Sequence, residues 1–144
     1  MLKATFESMA SYQQGVLDID WVDLDNNVFT PTVDLAKRYE TQGQLWFVVG
    51  GDIIAGGKTG RSQIQSSWKS GLEIWQDLHW ACLERPGFYI SPEDLPPQAR
   101  LLPCNIPGSS TTIRQEIRAK HDIGSLVVDR VQAIIKEYKL YQEL

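Results

Sequence analysis

Apolar residues recur along this chain at two different periods, and the switches between them predict helices and strands in alternation. Leu2, Phe6, Met9 and Ala10 share one helical face, which Gly15 closes. Leu17, Ile19 and Trp21 then alternate with Asp18 and Asp20, the pattern of a strand over residues 16–22. After a turn at Asp25-Asn26-Asn27, a helix starting near Thr32 carries Leu35 and Tyr39 at helical spacing. The run Leu45-Trp46-Phe47-Val48-Val49 is continuously apolar and bounded by glycines, which suits a strand buried on both faces of a parallel sheet. Ile64, Trp68, Leu72 and Trp75 form a helical stripe. Gly71 lies within it at a cost of roughly 1 kcal/mol against alanine. His79 to Leu83 reads as a strand, Ser91 to Arg100 with its three prolines as an inserted loop, and Leu101 to Cys104 as a last short strand. Ile113 and Ile117 mark one closing helix; Val127, Val131, Ile134, Ile135 and Tyr138 mark another. The alternation predicts an α/β fold with a mainly parallel sheet, as one domain over residues 1–144.

Composition narrows the partners. The 144 residues carry a net charge of −4, which argues against broad attraction to nucleic acid or an anionic membrane. A local phosphate site remains open, because a few cations and one helix N-terminus are enough to hold a phosphate. The longest apolar run is far too short to span a bilayer, and the first residues lack the basic and apolar segments of a signal peptide. Cys82 and Cys104 each lie beside apolar residues in strand-like segments. Two such cysteines predict buried, reduced thiols in a cytoplasmic protein, with no zinc site or disulfide framework.

In parallel α/β sheets, ligands gather at the C-terminal ends of strands. Two segments in that position have suitable chemistry. Gly50-Gly51-Asp52 follows the buried strand; glycines admit a ligand close to the backbone, and a carboxylate accepts hydrogen bonds from ribose hydroxyls. A plain strand-ending turn has the same composition. Gly108-Ser109-Ser110-Thr111-Thr112-Ile113-Arg114 lies between the last strand and a helix. Thr112 with Gln115 fits a capping box, which would make the segment only a well-capped helix start. The same N–H groups, hydroxyls and dipole also favour an anion, and Arg114 and Arg118 fall on one face of the helix.

The run GSSTTIR resembles the ISSTxIR signature of the nicotinamide/nicotinate mononucleotide adenylyltransferases, with Gly108 in place of isoleucine. VVGGD resembles their G-x-D motif after a central strand. In the family's order, Phe29 to Leu35 resembles the segment that contacts the pyridine ring. Glu84-Arg85-Pro86-Gly87-Phe88 resembles an Arg-Pro-Gly strand end, and Leu126 to Tyr141 the closing helix. The resemblance covers almost the whole chain and corresponds to the C-terminal two-thirds of the family. It implies a Rossmann-like nucleotidyltransferase fold lacking its first βα unit. The reaction it implies is attack by a pyridine mononucleotide phosphate on the α-phosphate of ATP, with pyrophosphate release and normally with Mg²⁺. Gly50, Asp52, Ser109, Ser110, Thr111 and Arg114 would then meet ATP. Phe29, Thr32 and Trp68 would line the mononucleotide pocket, although the stripe holding Trp68 also suits plain core.

The chain departs from the family where the reacting phosphates are held. The His/Thr-x-Gly-His loop after the first strand has no counterpart, since His79 and His121 are the only histidines and neither has that spacing to glycine. No catalytic residue is therefore assigned. The chain is expected to be a fragment, a subunit needing a second polypeptide, or a non-catalytic remnant that binds nucleotide or protein, with homo-oligomerisation through an exposed sheet edge. Gly51 and Gly57-Lys58-Thr59 suggest a Walker A loop, but five residues separate the glycines where four are required. A mobile, glycine-rich lid over Gly56–Gly60 is the preferred expectation.

Overall fold

The computed structural model describes residues 1–7, 9–84, 89–104 and 109–142. Its helices are α1 (Leu2–Phe6), α2 (Ala10–Gln13), α3 (Val22–Asp25), α4 (Thr32–Tyr39), α5 (Gly51–Ile54), α6 (Gln63–Ser67), α7 (Gly71–Asp77), α8 (Ser110–Arg118) and α9 (Asp129–Glu137). The strands are β1 (Trp46–Gly50), β2 (His79–Glu84) and β3 (Ala99–Pro103). The chain divides into two compact units, Asn26–Ile106 and the pair Met1–Asp25 with Pro107–Leu144.

The unit Asn26–Ile106 holds a three-stranded sheet, entirely parallel, in the order β1-β2-β3. Register pairs Phe47 with Trp80 and Val49 with Cys82, then Trp80 with Ala99 and Cys82 with Leu101. Those residues share one sheet face and pack with Ile54, Ile64, Ile74 and Trp75 into the core. The opposite face is less covered: Val48 is 65% exposed and Trp46 36%. β1 is therefore an edge strand packed on one face, not the doubly buried strand its apolar run suggests. An all-apolar run does not distinguish a central strand from an edge strand, because only neighbours decide the difference.

The tryptophan stripe splits into two helices. α6 opens with a full capping box: the Ser62 hydroxyl accepts from the Gln65 N–H at 3.2 Å, and the Gln65 side chain reaches back to the Ser62 N–H at 3.4 Å. Trp68 then turns extended, Ser70 takes a left-handed φ of 54°, and α7 starts at Gly71. A Cβ on Gly71 would press into the Ile64 carbonyl oxygen and come within 3.1 Å of the Gln65 carbonyl oxygen. Glycine lets α7 close on α6, so the expected propensity cost is offset by tight packing.

The second unit builds a smaller core from Ile117, Ile123, Val131 and Ile135, with Ala4, Ile113, Val127 and Leu140 against it. Arg130 ties α9 to the end of α1 through Glu7 at 2.6 Å. The strand expected at residues 16–22 is absent; those residues run irregularly into α3. Asp18 accepts from the Ile19 N–H and Asp20 from the Val22 N–H, each at 2.8 Å. These local bonds take the N–H groups a ladder would need, and Asp20 thereby starts a helix. Among the described residues, no helix is long and apolar enough to cross a membrane.

Candidate functional site

At the C-terminal end of β1, Gly50 is also the residue that precedes α5, in extended backbone with φ −79°. Gly51 is buried, and Asp52 is exposed in the first turn. The Asp52 carboxylate has no hydrogen-bond partner among the described residues, so it stands open to solvent at the strand end. In the same unit Thr32 is the first residue of α4 and half-buried, while Phe29 just before it is 86% exposed. Trp68 is half-buried against the core, its ring centroid 6.2 Å from that of Trp80. Lys69 donates to Asp34 at 2.8 Å, joining the Trp68 turn to the helix that begins at Thr32. Sequence reading passes over Lys69, whose one signal is its place beside Trp68.

In the other unit, α8 begins where the hydroxyl run predicts. The cap is Ser109, not Thr112: the Ser109 hydroxyl accepts from the Thr112 N–H at 3.1 Å. Thr112 is three residues into the motif and so receives the cap's bond, which the capping-box reading had reversed. The N–H groups of Ser110 and Thr111 have no partner among the described residues, and both side chains are exposed. Arg114, half-buried, donates to the Thr111 hydroxyl at 3.3 Å. Ser110 and Arg114 also line a small cavity of about 160 Å³ with Ile113, Val131 and Tyr141. Two open N–H groups, two hydroxyls and one guanidinium at the positive end of a nine-residue helix suit a phosphate. Gly108 and the Arg85-Pro86-Gly87-Phe88 strand end lie outside the described residues.

The stretch after α5 packs against a neighbouring turn. Gly57–Thr59 is a 3₁₀ turn set against a second one, Pro92–Asp94. The Lys58 N–H donates to Asp94 at 3.0 Å, and its ammonium pairs with Glu93 at 2.6 Å. Gly57 is buried, and a Cβ there would come within 2.6 Å of the Trp75 ring. Lys58 is thus turned to an acidic neighbour, as a Walker lysine would not be.

Cys82 is fully buried and Cys104 half-buried, both as free thiols. Burial pushes the Cys82 thiol up to about 11. That keeps it protonated and inert. His79 starts β2, with its ring within 2.8 Å of the Gln44 amide nitrogen, and His121 meets Glu116 at 2.8 Å. Among the described residues, no group of three or more His, Cys, Asp or Glu could hold a metal ion. The magnesium implied by the resemblance finds no protein cage there.

No family model matches the chain. A "Probable nicotinate-nucleotide adenylyltransferase" of Salinispora arenicola is 32% identical over 129 residues, covering 85% of this chain and 64% of the relative. A protein of the same name from Kineococcus radiotolerans is 29% identical over 126 residues, covering 83% of this chain and 56% of its own. The structure of Plasmodium falciparum nicotinic acid mononucleotide adenylyltransferase complexed with NaAD superposes with a TM-score of 0.60 at 23% identity. That superposition covers 79% of this chain and 58% of the other. The resemblance extends to the fold. This chain has the Rossmann-like nucleotidyltransferase fold with a parallel sheet, and nicotinate-nucleotide adenylyltransferases resemble it over most of its length. It spans about three-fifths of the length of these relatives.

Proposed function

We propose that this chain is the nucleotide-binding greater part of a nicotinate-nucleotide adenylyltransferase of NAD biosynthesis. Such an enzyme transfers AMP from ATP to nicotinate mononucleotide and releases pyrophosphate. The observation that carries the reading is the match to proteins of that name over 85% of the chain. The names of those relatives favour nicotinate over nicotinamide mononucleotide. The geometry at α8 supports it: the open N–H groups of Ser110 and Thr111, the exposed hydroxyls and Arg114 would hold ATP phosphates. Gly50 and Asp52 would receive the adenosine, with the carboxylate on ribose hydroxyls. Phe29, Thr32 and Trp68 would take the pyridine mononucleotide, Phe29 by stacking its exposed ring. Magnesium would arrive with the ATP phosphates, since such sites typically supply only one or two carboxylates. A cytoplasmic location belongs to the same reading.

Catalysis of this kind rests on positioning and charge stabilisation. The chain has no His-x-Gly-His loop, so the proposal separates binding from turnover. Alone, the 144 residues bind ATP weakly and form negligible product. Removing even one preorganised donor typically costs about 10²–10³ in rate. Titration calorimetry with ATP and a non-hydrolysable analogue tests the binding. Arg114→Ala should weaken it by about 1.5–3 kcal/mol, the worth of a hydrogen bond to a charged group. Lys58→Ala should leave it nearly unchanged. No heat at millimolar nucleotide, or a larger loss from Lys58→Ala than from Arg114→Ala, overturns the assignment. A coupled pyrophosphate-release assay tests turnover, and robust activity of this chain alone would show that other residues handle the phosphates.

A further inference from the structure

At the other end of α8 lies a second cavity, of about 300 Å³. Ile117, Ile123 and Ile135 form its floor and are buried to 8% exposure or less. Arg118, Lys120 and Lys136 stand around it, exposed, together with His121. The Gln142 amide completes the lining, and among the described residues no carboxylate lines it. Glu116, outside the lining, is engaged with His121 Nδ1 at 2.8 Å. We infer that this cavity is a binding site for a small organic anion, a phosphate or carboxylate carried on a compact apolar body.

A simpler account of the cations is that they complement helix C-termini. Both α8 and α9 end here in the same way. The His121 N–H reaches the Glu116 carbonyl and the Lys120 N–H the Ile117 carbonyl. Likewise the Leu140 N–H reaches the Ile135 carbonyl and the Lys139 N–H the Lys136 carbonyl. Each pair is a Schellman ending, and each puts a lysine in the left-handed slot that glycine usually fills, with φ 58° at Lys120 and 49° at Lys139. Two helix C-termini together present about one negative charge. Among the described residues, Arg118, Lys120 and Lys136 bring three permanent positive charges and Glu116 beside His121 one negative, so about one positive charge remains uncompensated at the cavity mouth. An apolar floor beneath a cationic rim discriminates a class of ligand: the anionic group stays at the rim, and the body removes isoleucine surface from water. The volume lies at the lower end of the small-molecule range, the size for a single-ring compound.

The nine residues of α8 place this cavity about 13 Å along the helix from the Ser110 end. The two sites are therefore separable by experiment. Amide chemical-shift mapping of the full chain uses phenyl phosphate as probe, with inorganic phosphate as the second arm. Expected are saturable shifts at Ile117, Lys120, Ile123 and Ile135, and affinity about tenfold weaker for inorganic phosphate. Arg118→Gln and Lys136→Gln, both at exposed positions, should each weaken phenyl phosphate about tenfold, and added salt should weaken it further. Lys136→Gln, on α9, should keep the wild-type response to ATP at Ser109–Arg114, so failure here and failure of the ATP site read out separately. Shifts confined to Ser109–Arg114, equal binding of the two phosphates, or variants that bind like wild type would each overturn the inference.

Discussion

Replacing Gly71 by alanine sets helix propensity against packing. Propensity favours alanine by about 1 kcal/mol in a helix interior. Gly71 is instead the first residue of α7, where the gain from alanine is the reduced unfolded-state entropy that propensity also reflects, about 0.4–1 kcal/mol where the native backbone accepts a side chain. The backbone at Gly71 is not in the left-handed region, so it does accept one. Space decides the outcome. The new Cβ would sit 3.0 Å from the Ile64 carbonyl carbon and 3.1 Å from the Gln65 carbonyl oxygen, and closer still to the Ile64 oxygen. These are backbone atoms of α6, which cannot swing aside. α7 would have to retreat by about 1 Å, drawing Ile74 and Trp75 away from Ile64 and Trp80, at an overpacking cost of about 1–3 kcal/mol. Taking the entropy gain of about 0.4–1 kcal/mol from that cost leaves a net destabilisation of about 1–2 kcal/mol, with the sign reversed from the propensity expectation. Urea unfolding followed by tryptophan fluorescence measures it through the midpoint at unchanged slope. Gly124→Ala is the control: its Cβ would meet only the flexible Asp122 and Gln132 side chains, at 3.3–3.6 Å, and should change the midpoint little. An unchanged or raised midpoint for Gly71→Ala would refute the packing argument.

Two further outcomes follow from the structure. The Cys82 thiol is raised from 9.0 to about 11, so the folded chain holds that proton more tightly than the unfolded one. Its contribution, about 2–3 kcal/mol for a shift of this size, is complete below pH 9 and lost as pH rises through 11. The fall in unfolding free energy across that window should be shallower in Cys82→Ala, and equal slopes would remove Cys82 as its cause. Lys120→Gly relieves a left-handed backbone that costs about 1–2 kcal/mol for a residue with a Cβ, less the glycine's extra unfolded-state entropy. Thermal unfolding should show a gain of about 0.5–1 kcal/mol, and a loss would mean that the lysine charge outweighs the strain.

The local periodicities of the sequence determined most of the elements. β1 and β2 follow from Leu45–Val49 and His79–Leu83, because short apolar runs between glycines or polar turns have few other uses. α4, α8 and α9 follow from apolar positions at helical spacing, and the start of α8 from its run of hydroxyls. The candidate phosphate contacts were legible for the same reason, since a cap is a local device. Where the local signal was ambiguous, tertiary structure decided. Val16 to Val22 alternates like a strand, yet Asp18 and Asp20 spend their carboxylates on nearby N–H groups. The tryptophan stripe has the period of one helix, but the close approach of Gly71 to Ile64 requires two. No pattern within Trp46–Gly50 reveals that β1 is an edge strand, because that depends on which strands stand beside it. The basic cavity was equally invisible: Arg118 and Lys120 belong to one helix end and Lys136 to another, and only the packing of Ile117 on Ile135 makes them neighbours.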